Sequence, residues 1–326
     1  MIYRTLGRTG IRVSAVAFGA GPVSGLMTGT DHAAQLATVQ RAIEAGINWF
    51  DTAAGYGNGG SEKNLGRVLA ELGAAERVHI ATKVRVPPES LDRIGDYVRQ
   101  SVKESLQRLR VPRVALLQLH NGITRNRDDE PASITPDDII SHDGVVMAFA
   151  HLHDEGLVNF IGLTGTGHAD AMREVVRFGE FDTLQVPFNI LNPSAGVPTE
   201  ATSETNYGNI IAHCSDMEMG VFAIRVFAGG ALLGQPPSAH TLKTPYFPLS
   251  LYERDAERTK SLAERVAGRM SLAELAVRFA LSHPGVSSAI IGFGSPAHVD
   301  EVARIRFDEP LPLDMLPSRD ARIRPE

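Results

Sequence analysis

The chain has 326 residues, 43% of them hydrophobic and 21% charged, with 32 Lys and Arg against 38 Asp and Glu for a net charge of −6. That composition is ordinary for a globular protein and excludes disorder, collagen and coiled coil as descriptions of the whole chain. The acidic balance excludes a general nucleic-acid binder, and the single cysteine, Cys214, excludes an intrachain disulfide or a cysteine-rich zinc site. No apolar leader pattern opens the sequence, and no window approaches the roughly 20 apolar residues of a bilayer span. A cytoplasmic protein without membrane or nucleic-acid partners is expected.

Residues 2–5 and 11–14 flank a turn bounded by Gly7 and Gly10 and read as a β-hairpin. Short apolar runs then alternate with helix-period segments, at 13–18, 47–50, 78–82, 114–119, 158–163, 183–186, 221–224 and 288–291. Rich in Val, Ile, Leu and Phe, they have the pattern of parallel strands buried on both faces. Asp31 and Ser61 are N-cap candidates for the first two helices, and Gly46 and Gly73 stand where glycine would close them. Ser90 can cap a helix whose Leu91, Ile94, Val98, Val102, Leu106 and Leu109 recur at spacings of three and four. Residues 144–155 read as a helix closed by Gly156. Ser271-Leu272-Ala273-Glu274 is a capping-box pattern for a helix that ends at His283-Pro284. Eight strand–helix units without a linker predict one (β/α)8 TIM barrel domain over 1–326, with the hairpin ahead of it. Loops 121–135, 193–207 and 234–248 are long enough to extend the C-terminal face and to be functional or mobile.

Barrel chemistry belongs at the C-terminal strand ends. Asp51 ends the second run, Tyr56 follows it in the turn GYGNGG, Lys83 ends the third run and His120 the fourth. Three neighbouring strands thus deliver a carboxylate, a phenol, an ammonium and an imidazole to one rim. A phenol with a reference pKa of about 10 is a poor acid at neutral pH unless a cation stands nearby. Lys83 can supply that cation, and a buried Lys83 needs a carboxylate such as Asp51 to stay charged. With His120 orienting a carbonyl oxygen, the set can move a proton on and off a carbonyl or alcohol, and a nicotinamide hydride is the natural counterpart.

With these residues in place, the sequence resembles the aldo-keto reductase family from YRTLGRTGIRVSAVAFGAG through FDTAAGYGNGGSEKNLGRVL, IATKV, LLQLH, NFIGLTG, DTLQVPFN and VFAGGALLG to LSHPGVSSAIIGFGSP. The resemblance implies a barrel, a nicotinamide cofactor and a catalytic tetrad on Asp51, Tyr56, Lys83 and His120. Tyr56 would be the acid in reduction and the base in oxidation. It also implies that Gln185 and Thr164 hold the carboxamide, although Thr164 and Gly165 stand where the family usually has Ser and Asn. The aromatic expected after the seventh strand is replaced by Ile224 and Arg225, and Arg225 is available to a phosphate or a substrate hydroxyl. In the tail, Gly292, Gly294 and His298 occupy places where Lys or Arg often grips the 2′-phosphate of NADPH, and Glu301 matches an adenosine-side acid. NAD(H) is therefore favoured over NADP(H), because a phosphate needs charge-assisted bonds. Asn121, where reductases of apolar aldehydes often carry Trp, is a candidate substrate residue. With Arg125 and Arg127 it suggests a polar rim and a hydroxylated substrate such as an aldose, or a small aldehyde in the reductive direction.

Three other readings compete. A Rossmann dehydrogenase could use Gly19, Gly21 and Gly25 or Gly292 and Gly294, but neither set is followed by the strand–helix–strand context of that fingerprint. A cofactor-binding regulatory subunit that senses redox state remains an alternative to an enzyme. A metal-dependent hydrolase lacks three convergent ligands: His151 and His153 fall on different sides of one helix, and His213 and His283 near the ends of others. The sequence leaves the oligomeric state open.

Overall fold

The computed structural model describes residues 1–199, 205–307, 309 and 311–312. The chain opens with the antiparallel hairpin β1 (Tyr3–Thr5) and β2 (Arg12–Ser14). Its turn lies against the start of the seventh barrel strand. Gly7 has φ +48°, and a Cβ there would fall 2.2 Å from the Gly220 nitrogen, so only glycine fits. Leu6 joins Val13, Ala17, Trp49, Ala81, Leu116 and Phe222 in a buried cluster that fills the barrel interior on this side. The Trp49 and Phe222 rings stand 4.9 Å apart.

Eight parallel strands follow and close into a barrel. They are β3 (Val16–Gly19), β4 (Trp49–Asp51), β5 (His79–Val84), β6 (Val114–Leu119), β7 (Val158–Thr164), β8 (Thr183–Pro187), β9 (Gly220–Ile224) and β10 (Ser288–Gly292). β10 pairs with both β9 and β3, which completes the ring. Each apolar run of the sequence overlaps one of these strands, because interior and helix-facing positions are both dry. The helices are α1 (His32–Glu44), α2 (Gly60–Glu71), α3 (Ile94–Leu109), α4 (Pro136–Ile140), α5 (Val145–Asp154), α6 (Ala169–Phe178), α7 (Ile210–Asp216), α8 (Leu249–Val266), α9 (Leu272–Ser282) and α10 (Pro296–Ala303). None is long and apolar enough to cross a membrane among the described residues.

Two cap expectations need correction. Ser61 lies inside α2, behind the N-cap Gly59, and its hydroxyl bonds Thr52 and the Ala20 carbonyl instead. Ser90 belongs to a short 3-10 turn, and α3 starts at Ile94 with no side-chain cap. Asp31 does cap α1, accepting from the Ala34 N–H at 3.0 Å. Ser271 accepts from Glu274 N–H, while the Glu274 carboxylate turns to Arg278 rather than closing the box.

Candidate active site

Parallel pairing sets Asp51 beside Ala81 and Lys83 beside Gln118, so the ends of β4, β5 and β6 meet at one side of the mouth. Lys83 is 2% exposed. Its Nζ forms an ion pair with Asp51, donates to the Thr52 carbonyl at 2.9 Å and reaches the Tyr56 hydroxyl at 3.4 Å. The second Asp51 oxygen accepts from Gln118 Nε2 at 3.2 Å and from the Gln185 amide. The carboxylate is thus bonded on both oxygens and cannot swing away. Burial works against the Lys83 charge, but Asp51 and Tyr56 outweigh it and hold the ammonium above the ordinary lysine value. The Tyr56 ring meets His120 edge-on at 5.5 Å between centroids. Burial, then the Lys83 and Arg85 charges, push His120 well below the ordinary histidine value, so its imidazole is neutral at pH 7. The four residues therefore present a phenol between a compensated ammonium and a neutral imidazole.

They stand at the edge of a cavity of about 1650 Å³, wide enough for a dinucleotide and a small substrate together. Thr164, Gln185, Arg225, Gly292, Gly294, His298 and Glu301 all line it with Asp51, Tyr56 and His120. Two wall hydroxyls, Thr164 Oγ1 and Ser24 Oγ, are buried without a hydrogen-bond partner among the described residues. Buried polar atoms are rarely left so, and a bound ligand would satisfy them. A Cβ at Gly292 would come 3.5 Å from Ser24, so glycine keeps this wall open beside the unpartnered hydroxyl. The residues present thus fit a nicotinamide dinucleotide. Gln185 departs from expectation in one respect: its amide nitrogen is already engaged by Asp51. His298 Nδ1 accepts from the Gly294 N–H at 3.3 Å.

The expected polar rim is placed elsewhere. Asn121 is fully buried, with its amide bonded to the Val86 N–H, the Val86 carbonyl and the Ala132 carbonyl, and it does not line the cavity. Arg125 pairs with Asp170 and Glu174 of α6, and Arg127 with Asp138 of α4. These side chains hold the 121–135 loop in place. Sequence reasoning missed Ser24, Arg85, Tyr207, Tyr246, Phe247 and Arg254, all of which line the cavity. Only Arg85 had a readable signal: in IATKVRV it stands at the alternate position after Lys83. Tyr207 supplies an aromatic ring at the wall near Arg225. No cluster of three metal-ligating side chains forms among the described residues.

Comparison with known proteins places these features in context. Residues 15–320 match the Aldo/keto reductase family, and the chain belongs to it. It is an oxidoreductase of carbonyl and alcohol substrates. It is 30% identical over 314 residues to an L-galactose dehydrogenase of Arabidopsis thaliana, covering 95% of this chain and 90% of that protein. It is 26% identical to a D-threo-aldose 1-dehydrogenase of a Pseudomonas species, covering 90% and 89%. An aldo-keto reductase from Bacillus halodurans in its holo form superimposes with a TM-score of 0.72 at 23% identity, over 97% of this chain and 94% of that one, a likeness of fold.

Proposed function

We propose that the protein oxidises a hydroxylated substrate of the aldose class, or in reverse reduces a carbonyl, with Tyr56 carrying the proton. The observation that supports this most directly is the buried Lys83, fixed by Asp51 and 3.4 Å from the Tyr56 hydroxyl. In oxidation the Tyr56 phenolate takes the proton of the substrate hydroxyl, and in reduction the phenol returns it. Lys83 stabilises the phenolate, Asp51 holds Lys83, and neutral His120 orients the substrate oxygen without competing for charge. When bound, a nicotinamide accepts or supplies the hydride. Thr164 and Gln185 would hold its carboxamide, Arg225 its phosphates, and Gly292, Gly294, His298 and Glu301 the adenosine half. The sugar dehydrogenases among the relatives support the substrate class.

Absorbance at 340 nm tests the reading, with NAD⁺ or NADP⁺ against a panel of aldoses. Wild-type protein is expected to turn over and Tyr56→Phe to lose about 10²–10⁴-fold in rate. A Tyr56→Phe variant with full activity refutes the assignment. Turnover also separates an enzyme from the regulatory-subunit alternative. NAD(H) is the favoured cofactor, since the segment from Gly292 to Glu301 holds no Lys or Arg. A dissociation constant for NADPH ten times below that for NADH overturns this preference. Arg254, which lines the cavity and whose Nε is buried without a partner among the described residues, is then the first cation to substitute.

A further inference from the structure

Arg85 follows β5 and faces the cavity beside Tyr56 and His120. Its Nε and Nη2 donate to the His120 carbonyl at 3.3 and 3.1 Å, and Nη1 contacts the Tyr246 hydroxyl. The guanidinium lies 4.2 Å from the centre of the Tyr246 ring. All these partners are neutral oxygens or a ring, and no carboxylate pairs with Arg85 among the described residues. Lys83, by contrast, is matched by Asp51. Glu130 also lines the cavity, with its carboxylate beside Gly122.

The cover over Arg85 extends across the mouth. Arg225 follows β9 and stacks under Phe247 at 4.0 Å. β5 and β9 are four strands apart in a barrel of eight, so the two arginines stand on opposite sides. Adjacent Tyr246 and Phe247, between Pro245 and Pro248, bridge them as a short strap. The Tyr246 ring thus covers one face of the Arg85 guanidinium, and both residues line the cavity.

We propose that Arg85 determines substrate specificity by binding a carboxylate carried by the substrate, so that an acidic sugar of the uronate class is preferred to its neutral aldose. The inference rests on the sugar-oxidising reading above. A guanidinium has five N–H donors, of which three are used here, leaving one on each terminal nitrogen. A carboxylate accepts two such bonds side by side and also cancels the charge. A neutral hydroxyl accepts a bond but leaves a desolvated cation uncompensated. Burial lowers the Arg85 pKa from the ordinary arginine value without removing its proton, as expected of a charge short of a counter-ion. Lys83 and Arg85 are alternate residues, so their Cα atoms are about 6.6 Å apart along the strand direction. Arg85 also lies close enough to Tyr56 for the two to interact electrostatically, and both line the cavity, so a pyranose with its anomeric carbon at Tyr56 would direct its far carboxylate toward Arg85.

The test compares kcat/KM for the uronate and the aldose of the gluco, galacto and manno series at saturating oxidised cofactor. Wild-type protein is expected to favour the uronate at least tenfold in one series. Arg85→Gln should lower that uronate-to-aldose ratio about 10- to 100-fold, the loss of charge-assisted hydrogen bonds. Arg85→Lys should keep more of the ratio than Arg85→Gln. It retains the charge, and its melting curve guards against a folding defect. A ratio below one in every series, or one that Arg85→Gln leaves in place, overturns the proposal while turnover of aldoses leaves the sugar-oxidising reading standing. If no sugar is turned over, that reading fails. Calorimetric titration of the cofactor-loaded protein with D-glucuronate, D-galacturonate and D-mannuronate then decides for Arg85: binding of one of them weakened tenfold by Arg85→Gln supports it, and no binding of any overturns it.

Discussion

Replacing Lys83 by Met tests whether the buried ion pair is an energetic unit as well as a chemical one. The Lys83 and Asp51 side chains are 1% and 4% exposed, so neither can turn to water when its partner is lost. Removing one member of a buried pair costs about 3–5 kcal/mol, because the other charge remains desolvated. In Lys83→Met the Asp51 carboxylate keeps the amide donors of Gln118 and Gln185, which places the cost near the lower end, about 3 kcal/mol. Adding Asp51→Leu removes the stranded charge but leaves those amides without an acceptor. The double variant should therefore recover about half of the Lys83→Met loss, and with each single change costing about 3 kcal/mol the coupling energy is about 4–5 kcal/mol. Urea unfolding at pH 7 measures the cycle, and the m-value should stay constant across it. Because the Lys83 pKa is raised on folding, its stabilisation is complete below the unfolded value of about 10.4. It fades as pH rises through the still higher folded value. The gap between wild type and Lys83→Met should therefore be flat from pH 6 to 9. A single-variant cost below 1 kcal/mol, or additive single effects, refutes the reasoning.

Three further outcomes are expected. His120 has a lowered folded pKa, so the unfolded chain gains its proton first and the stability contributed by the neutral ring is lost as pH falls below about 6.5. The slope it adds is at most about 1.4 kcal/mol per pH unit, and His120→Asn should show a shallower decline than wild type in urea midpoints between pH 5 and 7. Asn121→Ala should cost about 2–4 kcal/mol in urea, since it strands buried Val86 groups, and a variant of wild-type stability with a raised KM would restore the substrate-binding role. Cys214 is fully buried and its thiol is pushed up to about 12, so a disulfide reagent at pH 8 should label it only when urea unfolds the protein; rapid labelling of the folded chain contradicts the packing.

What could be read from the sequence was local. The strands show as apolar runs because a barrel strand is dry on both faces, and Asp51, Lys83 and His120 show because each directly ends such a run. Tyr56 is placed by the glycine-rich turn that must follow β4. Partners distant along the chain left no such mark. Asn121 and Arg127 look like a solvated rim until Val86, Ala132 and Asp138 are seen beneath them. Arg125 is spent on α6. Ser61 resembles a cap by type and position, yet the approach of β3 and β4 gives its hydroxyl better partners in Ala20 and Thr52. Tyr246 and Phe247 sit in a loop without periodicity, and only closure of the barrel sets the two arginines under them.

The charges of the site act over different ranges, and this gives a last expectation. Lys83 and Asp51 together form a short dipole, whose field matters at Tyr56 and decays within a few ångströms. Arg85 has no carboxylate partner among the described residues, so its field reaches the cavity mouth and the approaching substrate. The protein as a whole carries −6 and would repel an anion, which makes this local field the means of drawing one in. Salt screens such attraction, with a Debye length of about 30 Å at 0.01 M and 3 Å at 1 M. The kcat/KM of wild-type protein for a uronate should therefore fall several-fold as sodium chloride rises from 0.01 to 0.5 M, while that for the matching aldose stays level. Arg85→Gln should remove the difference between the two salt profiles. Parallel profiles in wild type would show that the Tyr246 cover confines the Arg85 charge, and that any selectivity arises after the substrate has entered.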